Sequence, residues 1–369
     1  MNQKKLAKVI KIGGFAHIKS VLIGGCNPVV IQTMWKERLS SSNIDDTVSK
    51  INKLSALGCR LLRFAVPDIQ TAEIFGDLCQ KTSMPLAADV HFDYKIALRC
   101  MDFPVSKVRI NPGNIGGREK ARAVLEKAAY KNIPIRIGVN SGSLPADLRK
   151  RVDDKEMKPA DALVEAAARE ISIFDEYGFK NFLISMKSAF IADNIEANRV
   201  LSQRTDAPFH IGVTEAGPLT AGVARNTAAI LALLNEGIGD TIRVSLSDSM
   251  ENEVIAGREI LAAAFQLAPD NIKLKGSGVN IISCPRCGRY GFDTCGFIDQ
   301  WKERLYTLNK DITVAVMGCE VNGPSEAKHA ALGITGAGNK ALIFKRGRII
   351  KTVAFDQADK AFSEELENL

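Results

Sequence analysis

Three cysteines and one glutamate in the last quarter of the chain are suited to binding a metal centre. Cys284 and Cys287 form the motif CPRC, Cys319 opens the run CEVNGPSEA, and Glu326 follows seven positions later. Thiolates bind either zinc or an iron–sulfur cluster. A structural zinc needs four closed ligands, whereas a 4Fe–4S cluster on three thiolates leaves one iron for a weaker ligand such as a carboxylate. The set therefore favours a cluster that does chemistry at its fourth iron.

The spacing alone leaves other metal or redox roles open. A CxxC motif also occurs in zinc sites and in redox disulfides. Cys295 or His329 could supply a fourth ligand to zinc. A thioredoxin-like disulfide would leave Cys319 without a role.

Eight short apolar segments alternate with helical segments before the cysteine motifs. Many of the helical segments end at a glycine or asparagine, as helix C-caps do. Strands that alternate with helices form parallel βαβ units, and eight units predict a TIM barrel. An open doubly wound sheet is the alternative, but no glycine-rich phosphate turn follows the first strand. The predicted strands are 28–34, 59–66, 85–90, 105–110, 133–139, 179–185, 208–214 and 240–246.

Each predicted strand ends in a polar or charged side chain, on the face where TIM-barrel enzymes carry their active sites. A charge inside an apolar strand is costly unless it emerges at a mouth or finds a partner. Structural ion pairs across the rim would explain single positions, but they explain poorly why the whole set recurs at one strand end. The candidates are Gln32, Arg63, Asp89, His91, Arg109, Asn111, Arg136, Asn140, Lys187, Glu215, Arg243 and Ser245.

The chemistry of this set predicts an anion site. Arginine offers bidentate geometry to phosphate, and lysine offers a point charge. Asn140 and Ser245 add neutral donors, so a phosphorylated small molecule is the expected ligand. Asp89, His91 and Glu215 suit proton transfer or hydroxyl binding. The cations are Arg63, Arg109, Arg136, Lys187 and Arg243.

Composition fits a soluble, cytoplasmic protein with two domains. The chain has 369 residues, of which 46% are hydrophobic and 25% charged. Its net charge of +7 suits an anionic substrate or an acidic partner, and no basic run interleaved with aromatics indicates nucleic acid. No apolar stretch is long enough to span a membrane, and eight scattered cysteines without a secretory signal indicate a reducing compartment.

The pattern changes after the last predicted barrel helix. Residues 268–278 have the composition of a linker, so we expect one domain over residues 1–268 and another over 269–369. The second domain should contain a strand that runs into CPRC, a helix over 299–309, a strand over 312–318, a hairpin turning at Arg346–Gly347 and a terminal helix. This order predicts an α+β fold.

Seven motifs follow one another in a family-specific order. They are ADVHFDYKIAL, RINPGNIG, IPIRIGVNSGSL, VTEAG, EGIGDTIRVSL, SCPRCGR and GCEVNGPSEA. Together they closely resemble the bacterial 4-hydroxy-3-methylbut-2-enyl diphosphate synthase family of the methylerythritol phosphate pathway, in its short two-domain form. The resemblance covers nearly the whole chain. It implies a TIM barrel joined to a smaller sulfite-reductase-like α+β iron–sulfur domain, and a homodimer in which the cluster of one chain caps the barrel of the other.

The resemblance also implies roles for individual residues. Cys284, Cys287, Cys319 and Glu326 would ligate a 4Fe–4S cluster with an exchangeable fourth iron ligand. Asp89, His91 and Glu215 would lie near the reacting carbons and hydroxyls, with Glu326 also catalytic. The diphosphate would be held by Arg63, Arg109, Arg136, Asn140, Lys187, Arg243 and Ser245.

The implied reaction is the reductive conversion of 2-C-methyl-D-erythritol 2,4-cyclodiphosphate to (E)-4-hydroxy-3-methylbut-2-enyl diphosphate, with flavodoxin or ferredoxin as electron donor. Two alternatives belong to other classes: a zinc-stapled phosphate-binding protein, and a pteroate-type transferase on a similar barrel. Residues 35–42 (WKERLSSS) depart from the family pattern, and Cys295 has no role in it.

Overall fold

An antiparallel hairpin that the sequence did not predict precedes the barrel. The computed structural model describes residues 6–111, 115, 117–271, 278–285, 287–320 and 323–369. It divides into two compact units, Met1–Gly276 and Ser277–Leu369. In the first unit, β1 (Ile10–Gly13) pairs with β2 (Ser20–Ile23). Its apolar side chains pack against residues near the start of four barrel strands, so the hairpin closes the N-terminal end of the barrel; the packed residues are Ile10, Ile12, Val21, Ile23, Val30, Leu61, Ala87 and Leu183.

The predicted parallel barrel is confirmed, with all eight strands in the expected chain order. They are β3 (Val30–Met34), β4 (Leu61–Ala65), β5 (Leu86–Asp89), β6 (Lys107–Ile110), β7 (Ile135–Asn140), β8 (Phe182–Lys187), β9 (His210–Ile211) and β10 (Thr241–Ile242). Their order in the sheet is β8-β7-β6-β5-β4-β3-β10-β9. A parallel bridge between Ile184 and Phe209 joins β8 to the segment before β9 and completes the ring. The last two strands are much shorter than predicted.

Nine helices surround the barrel in the part of the chain that the structure describes. Asp68, Asp93 and Ser249 cap three of them by accepting backbone N–H groups of the first turn. The fourth helix ends at Asn132 in a left-handed conformation, as C-caps do. The helices are α1 (Ile44–Ala56), α2 (Ile69–Lys81), α3 (Tyr94–Cys100), α4 (Arg118–Lys131), α5 (Ala146–Asp153), α6 (Pro159–Glu176), α7 (Ile191–Ser202), α8 (Leu219–Asn235) and α9 (Met250–Leu267). None of the described helices is long and apolar enough to cross a membrane.

The second unit is a five-stranded mixed sheet with helices, as the predicted α+β pattern requires. Its elements are β11 (Asn280–Ser283), α10 (Thr294–Thr307), β12 (Thr313–Val316), α11 (Gly323–Glu326), β13 (Leu332–Ala337), β14 (Lys340–Lys345), β15 (Arg348–Ala354) and α12 (Ala358–Glu367). The strands follow in sheet order from β11 to β15. β11, β12 and β13 are parallel, and β14 and β15 form the predicted hairpin.

The largest core of this unit contains side chains of α10 and α12 beside those of the sheet. Phe362 of α12 meets Phe297 and Trp301 of α10 edge to face. Helix α10 begins five residues before the predicted position because Asp293 caps it by accepting the N–H of Gly296. Strand β13 was not predicted. Of the predicted linker over 268–278, residues 272–277 lie outside the described part of the chain.

Candidate active site

Side chains from the carboxyl ends of the barrel strands line a cavity of about 110 Å³. This is the face on which TIM-barrel enzymes carry their active sites. Nine of the predicted site residues meet there. The full lining is Arg63, Asp89, His91, Arg109, Arg136, Gly138, Asn140, Ser185, Lys187, Thr214, Arg243 and Ser245. The cavity thus holds five cationic side chains and one carboxylate.

Strand register places three of these charged residues side by side. Asp89 on β5 is the direct neighbour of Arg109 on β6, and Arg109 is the neighbour of Arg136 on β7. The Asp89 carboxylate contacts Arg109 at 3.1 Å and Arg63 of β4 at 3.4 Å. Removing a charge from water is tolerable when it gains a partner of opposite sign. Asp89 is therefore the shared counter-ion of two arginines.

His91 completes this group just beyond the end of β5. Its ring lies 2.8 Å from Nη1 of Arg109, and its Nε2 lies 3.6 Å from Oδ1 of Asp89. Burial alone would raise the pKa of Asp89, but Arg63, His91, Arg109 and Arg136 together hold it well below its ordinary value. Asp89 is thus a fixed negative charge at neutral pH and orients the groups around it.

Arg136 and Lys187 differ from the other cavity cations. Both are buried, and among the described residues neither forms an ion pair within 4.0 Å. The Nε and Nη1 atoms of Arg136 are buried without a hydrogen-bond partner in that part of the chain. Burial, and then the neighbouring cations, lower the pKa of both side chains well below their usual values. Two uncompensated buried cations at one mouth are the strongest sign of an anionic ligand.

Gly138, Ser185 and Thr214 also line the cavity and were not predicted. A Cβ at Gly138 would lie 2.4 Å from Nε of Arg109, so only glycine lets that guanidinium cross β7. The sequence signal for this position was weak, because a glycine within a strand has several explanations. Ser185 lies two residues before Lys187 on β8. Side chains two positions apart on a strand share one face, so the position of Lys187 was a sequence signal for Ser185.

Three predicted strand-end residues do not line the cavity. Glu215 is exposed and adopts a left-handed backbone with φ +53°, one residue beyond Thr214. Gln32 is buried and accepts a hydrogen bond of 2.8 Å from Nζ of Lys107. Asn111 is buried after β6 but is not part of the lining.

A second carboxylate near the cavity was missed. Glu253 lies in the first turn of α9 and is 1% exposed. It accepts hydrogen bonds of 3.4 Å from Nε and Nη2 of Arg243. In the sequence, Glu253 belongs to the polar run SDSMENEV, which is typical of a solvent-exposed first turn of a helix.

The thiols of the second unit follow two neighbouring parallel strands. Cys284 follows β11, and its N–H donates to the carbonyl of Val316 at 3.1 Å. Cys319 is buried three residues after β12. The N–H of Tyr290 donates to the carbonyl of Cys287 and closes a turn, and the N–H of Gly291 donates to the carbonyl of Gly318, two residues after β12. The three cysteines are thus carried by two adjacent loops at one edge of the sheet.

The donor chemistry of this edge fits an iron–sulfur group. Thiolates are the usual ligands of such clusters. A Cβ at Gly318 would lie 3.6 Å from Sγ of Cys284, so the residue before Cys319 leaves the space beside this thiol open. Glu326 is exposed at the end of α11, and the N–H of Gly323, the buried first residue of α11, donates to the carbonyl of Cys319. Cys295 is exposed in the first turn of α10. Among the described residues, no three His, Cys, Asp or Glu side chains converge around a single metal ion.

The fold and the two sites define a TIM-barrel protein with an anion cavity and a second, cysteine-bearing α+β unit. Residues 15–258 match the GcpE TIM-barrel domain, and residues 280–368 match the GcpE protein C-terminal domain. The chain belongs to the GcpE family, which confirms the resemblance seen in its motifs.

Curated relatives match the chain over nearly its whole length. A relative from Treponema denticola is 48% identical and covers 100% of both chains. One from Treponema pallidum is 48% identical over 98% of this chain and 92% of its own. One from Caldicellulosiruptor saccharolyticus is 42% identical over 99% of each. All three are named 4-hydroxy-3-methylbut-2-en-1-yl diphosphate synthase (flavodoxin). These relatives support neither the zinc-stapled nor the pteroate-type alternative.

Proposed function

We propose that the chain reduces 2-C-methyl-D-erythritol 2,4-cyclodiphosphate to (E)-4-hydroxy-3-methylbut-2-enyl diphosphate in isoprenoid biosynthesis. The observation that carries this proposal is the cavity in which five cations face one carboxylate. A cyclic diphosphate supplies the missing negative charge. The names of the full-length relatives support the same reaction, with flavodoxin as electron donor.

The cavity residues divide into two roles. The diphosphate is held by Arg63, Arg109, Arg136, Asn140, Lys187, Arg243 and Ser245. Asp89 and His91 lie at the same mouth and orient the hydroxyl-bearing carbons. Glu215 is one residue from the lining and faces the same end of the barrel from the loop after β9. It would reach the substrate from outside the cavity wall.

The second unit would hold a 4Fe–4S cluster through Cys284, Cys287, Cys319 and Glu326. When bound, such a cluster would pass two electrons, one at a time, from the flavodoxin or ferredoxin to the substrate, so that the cyclic diphosphate opens and one hydroxyl takes up a proton and leaves as water. The carboxylate of Glu326 is a harder and weaker ligand than a thiolate, and its exposed position is consistent with an exchangeable ligand. We assign the barrel, residues 1–268, to substrate binding and residues 269–369 to the cluster.

The active form would be a cytoplasmic homodimer in which the cluster of one chain serves the barrel of its partner. The family resemblance of the whole chain supports this arrangement. The chain has a net charge of +7, which suits an acidic flavodoxin or ferredoxin as the donor.

Anaerobic purification followed by absorption and electron paramagnetic resonance spectra tests the cofactor. The matched variants are Cys319→Ser, which should lose iron, and Cys295→Ser, which should keep iron and turnover near wild type. Glu326→Gln should keep iron, because three thiolates remain, but lose most turnover. A cluster lost from Cys295→Ser and kept in Cys319→Ser would overturn the ligand set. A protein with zinc, or one that does not convert the cyclic diphosphate with reduced flavodoxin, would overturn the function.

A further inference from the structure

The segment after β3 contacts both neighbours of β3 in the barrel sheet, β4 and the loop after β10. Its first residue, Trp35, is buried, stacks on Phe64 at 5.2 Å and donates its backbone N–H to the carbonyl of Arg63. These contacts fix the segment to β4. The next residue, Lys36, then points to the opposite neighbour of β3, the loop that follows β10.

Lys36 makes three contacts there. Its Nζ donates to the carbonyl of Leu246 at 2.8 Å and to the carbonyl of Asp248. It also forms an ion pair of 2.8 Å with Oε1 of Glu253. Since Ser245 lines the cavity and directly precedes Leu246, Lys36 holds the backbone that presents Ser245.

Glu253 is the link between Lys36 and the cavity. Besides Lys36 and Arg243, its carboxylate accepts from the hydroxyl of Thr33 and from the N–H of Leu246 at 3.0 Å. Burial alone would raise the pKa of Glu253, but Arg243, Lys36, Thr33 and Leu246 together lower it. The carboxylate is therefore charged and fully partnered. A buried carboxylate that loses one cation becomes costly and shifts toward its remaining partners.

The two buried carboxylates at the site pair with different arginines. Asp89 contacts Arg63 and Arg109, whereas Glu253 contacts Arg243. Among the described residues no other carboxylate lies within 4.0 Å of Arg243. In the part of the chain that the structure describes, Glu253 is thus the carboxylate that pairs with this guanidinium, and Lys36 is the other cation that pairs with Glu253.

We infer that Lys36 is a positioning residue, which acts through Glu253 and the 246–248 backbone to hold Arg243 and Ser245 toward the anion. This inference rests on the proposed function only in that the cavity binds a diphosphate. Lys36 touches the frame of the site and not the ligand. Its effect on affinity should therefore pass through Arg243.

Calorimetric titration of the full-length protein with inorganic pyrophosphate tests this inference. Lys36→Met should weaken binding about tenfold, and Lys36→Arg should restore part of it, since arginine keeps the positive charge beside Glu253. On an Arg243→Ala background, Lys36→Met should add less than about a twofold loss. Lys127→Met is the matched control, because the Lys127 side chain is as exposed as that of Lys36 and also pairs with one carboxylate, Asp102, but does not line the cavity.

Three results would overturn the inference. They are wild-type affinity in Lys36→Met, an equal loss in both backgrounds, and a wild-type protein that does not bind pyrophosphate. If Lys36→Met does not fold, Lys36→Gln in both backgrounds replaces it, and the same comparison decides. Turnover is measured separately. A protein that shows the pyrophosphate pattern but does not convert the cyclic diphosphate would contradict the proposed function and leave the role of Lys36 intact.

Discussion

At the scale of single residues, the site is a balance between cations and the few carboxylates that hold them. Asp89 serves Arg63 and Arg109, and Glu253 serves Arg243. Arg136 has no such partner among the described residues. In the ligand-free protein its charge is a cost to folding, and in the complex it is a source of affinity. Stability and binding therefore oppose each other at this position.

Arg136→Met should make the ligand-free protein more stable and the site weaker. Removal of a buried, unpaired charge should raise the free energy of unfolding by about 1–3 kcal/mol. Pyrophosphate should then no longer raise the urea midpoint. Arg122→Met is the control, because Arg122 is an exposed partner of Glu126 and should change stability little. An Arg136→Met protein that unfolds at lower urea and still binds pyrophosphate as the wild type does would contradict this account.

Asp89→Asn should have the opposite effect, and one that depends on pH. Breaking a buried ion network should cost about 3–5 kcal/mol at pH 7. The pKa of Asp89 is lowered in the folded state, so its stabilisation is fully present above the unfolded value of about 3.9 and lost as the pH falls below it.

Urea unfolding at pH 7, 4 and 3 measures the pH effect. The gap between wild type and Asp89→Asn should narrow below about pH 4. Asp45→Asn is the control, since the exposed Asp45–Lys81 pair should contribute under about 1 kcal/mol. A gap that stays constant from pH 7 to pH 3 would show that Asp89 is not held charged by its neighbours.

Most of the cavity residues could be predicted from the sequence, because a charge at the end of an apolar strand has few explanations. Glu253 could not, since a glutamate in the first turn of a helix usually faces water. Its burial arises from Thr33 and Lys36, which are 220 and 217 positions away in the chain. Only the closure of the barrel, which pairs β3 with β10, brings them together.

At the scale of elements, the loop after β9 is the irregular part of the barrel. β9 contains only His210 and Ile211, and the chain then leaves the sheet before Glu215, which has φ +53°. A left-handed backbone costs a non-glycine residue about 1–2 kcal/mol. Such strain is often kept where function requires it.

Glu215→Gly should therefore stabilise the fold while it lowers turnover. Relief of the left-handed strain should raise the free energy of unfolding, but glycine also increases the entropy of the unfolded chain, which offsets part of this gain. We therefore expect a net gain of up to about 1 kcal/mol. Turnover should fall strongly if the carboxylate works on the substrate. Asn132→Gly is matched, because Asn132 has φ +52° at the end of α4, remote from the cavity lining. Urea unfolding and steady-state rates measure both variants. Full turnover in Glu215→Gly would remove Glu215 from the site.

The strands that the sequence missed share a physical cause. β1 alternates apolar and polar residues only as far as Gly13, and β2 exposes the apolar Leu22, so neither strand gives a clear alternating pattern. β13 reads LGITGA, in which glycines break the apolar run. The hairpin and β13 are both stabilised by their neighbours. The hairpin packs against the N-terminal end of the barrel, and β13 pairs with β12 and β14 on its two sides. Local sequence carries little of that information.

At the scale of the whole molecule, the anion cavity belongs to one unit of the chain, and the proposed cluster ligands Cys284, Cys287 and Cys319 belong to the other. The proposed reaction needs both at one substrate. Length and composition predicted the two units, but the spacing of motifs does not determine which chain completes which site. The homodimer proposed above assigns each barrel to the cluster of the partner, and mixed dimers can test that assignment.

Mixing two inactive variants should restore activity if the cluster acts in trans. One variant, Arg109→Ala with Arg136→Ala, lacks the barrel site, and the other, Cys319→Ser, lacks the cluster. In a hybrid dimer, one composite site then has an intact barrel and an intact cluster from different chains. Random mixing should make half of the dimers hybrids, and each hybrid has one intact site of its two. The unfractionated mixture should therefore show about one quarter of wild-type activity. Separate affinity tags isolate the hybrids, and iron content checks that the barrel variant keeps its cluster. Hybrids that form and stay inactive would place the barrel and the cluster of each site in one chain, because such a pair contains no chain with both parts intact.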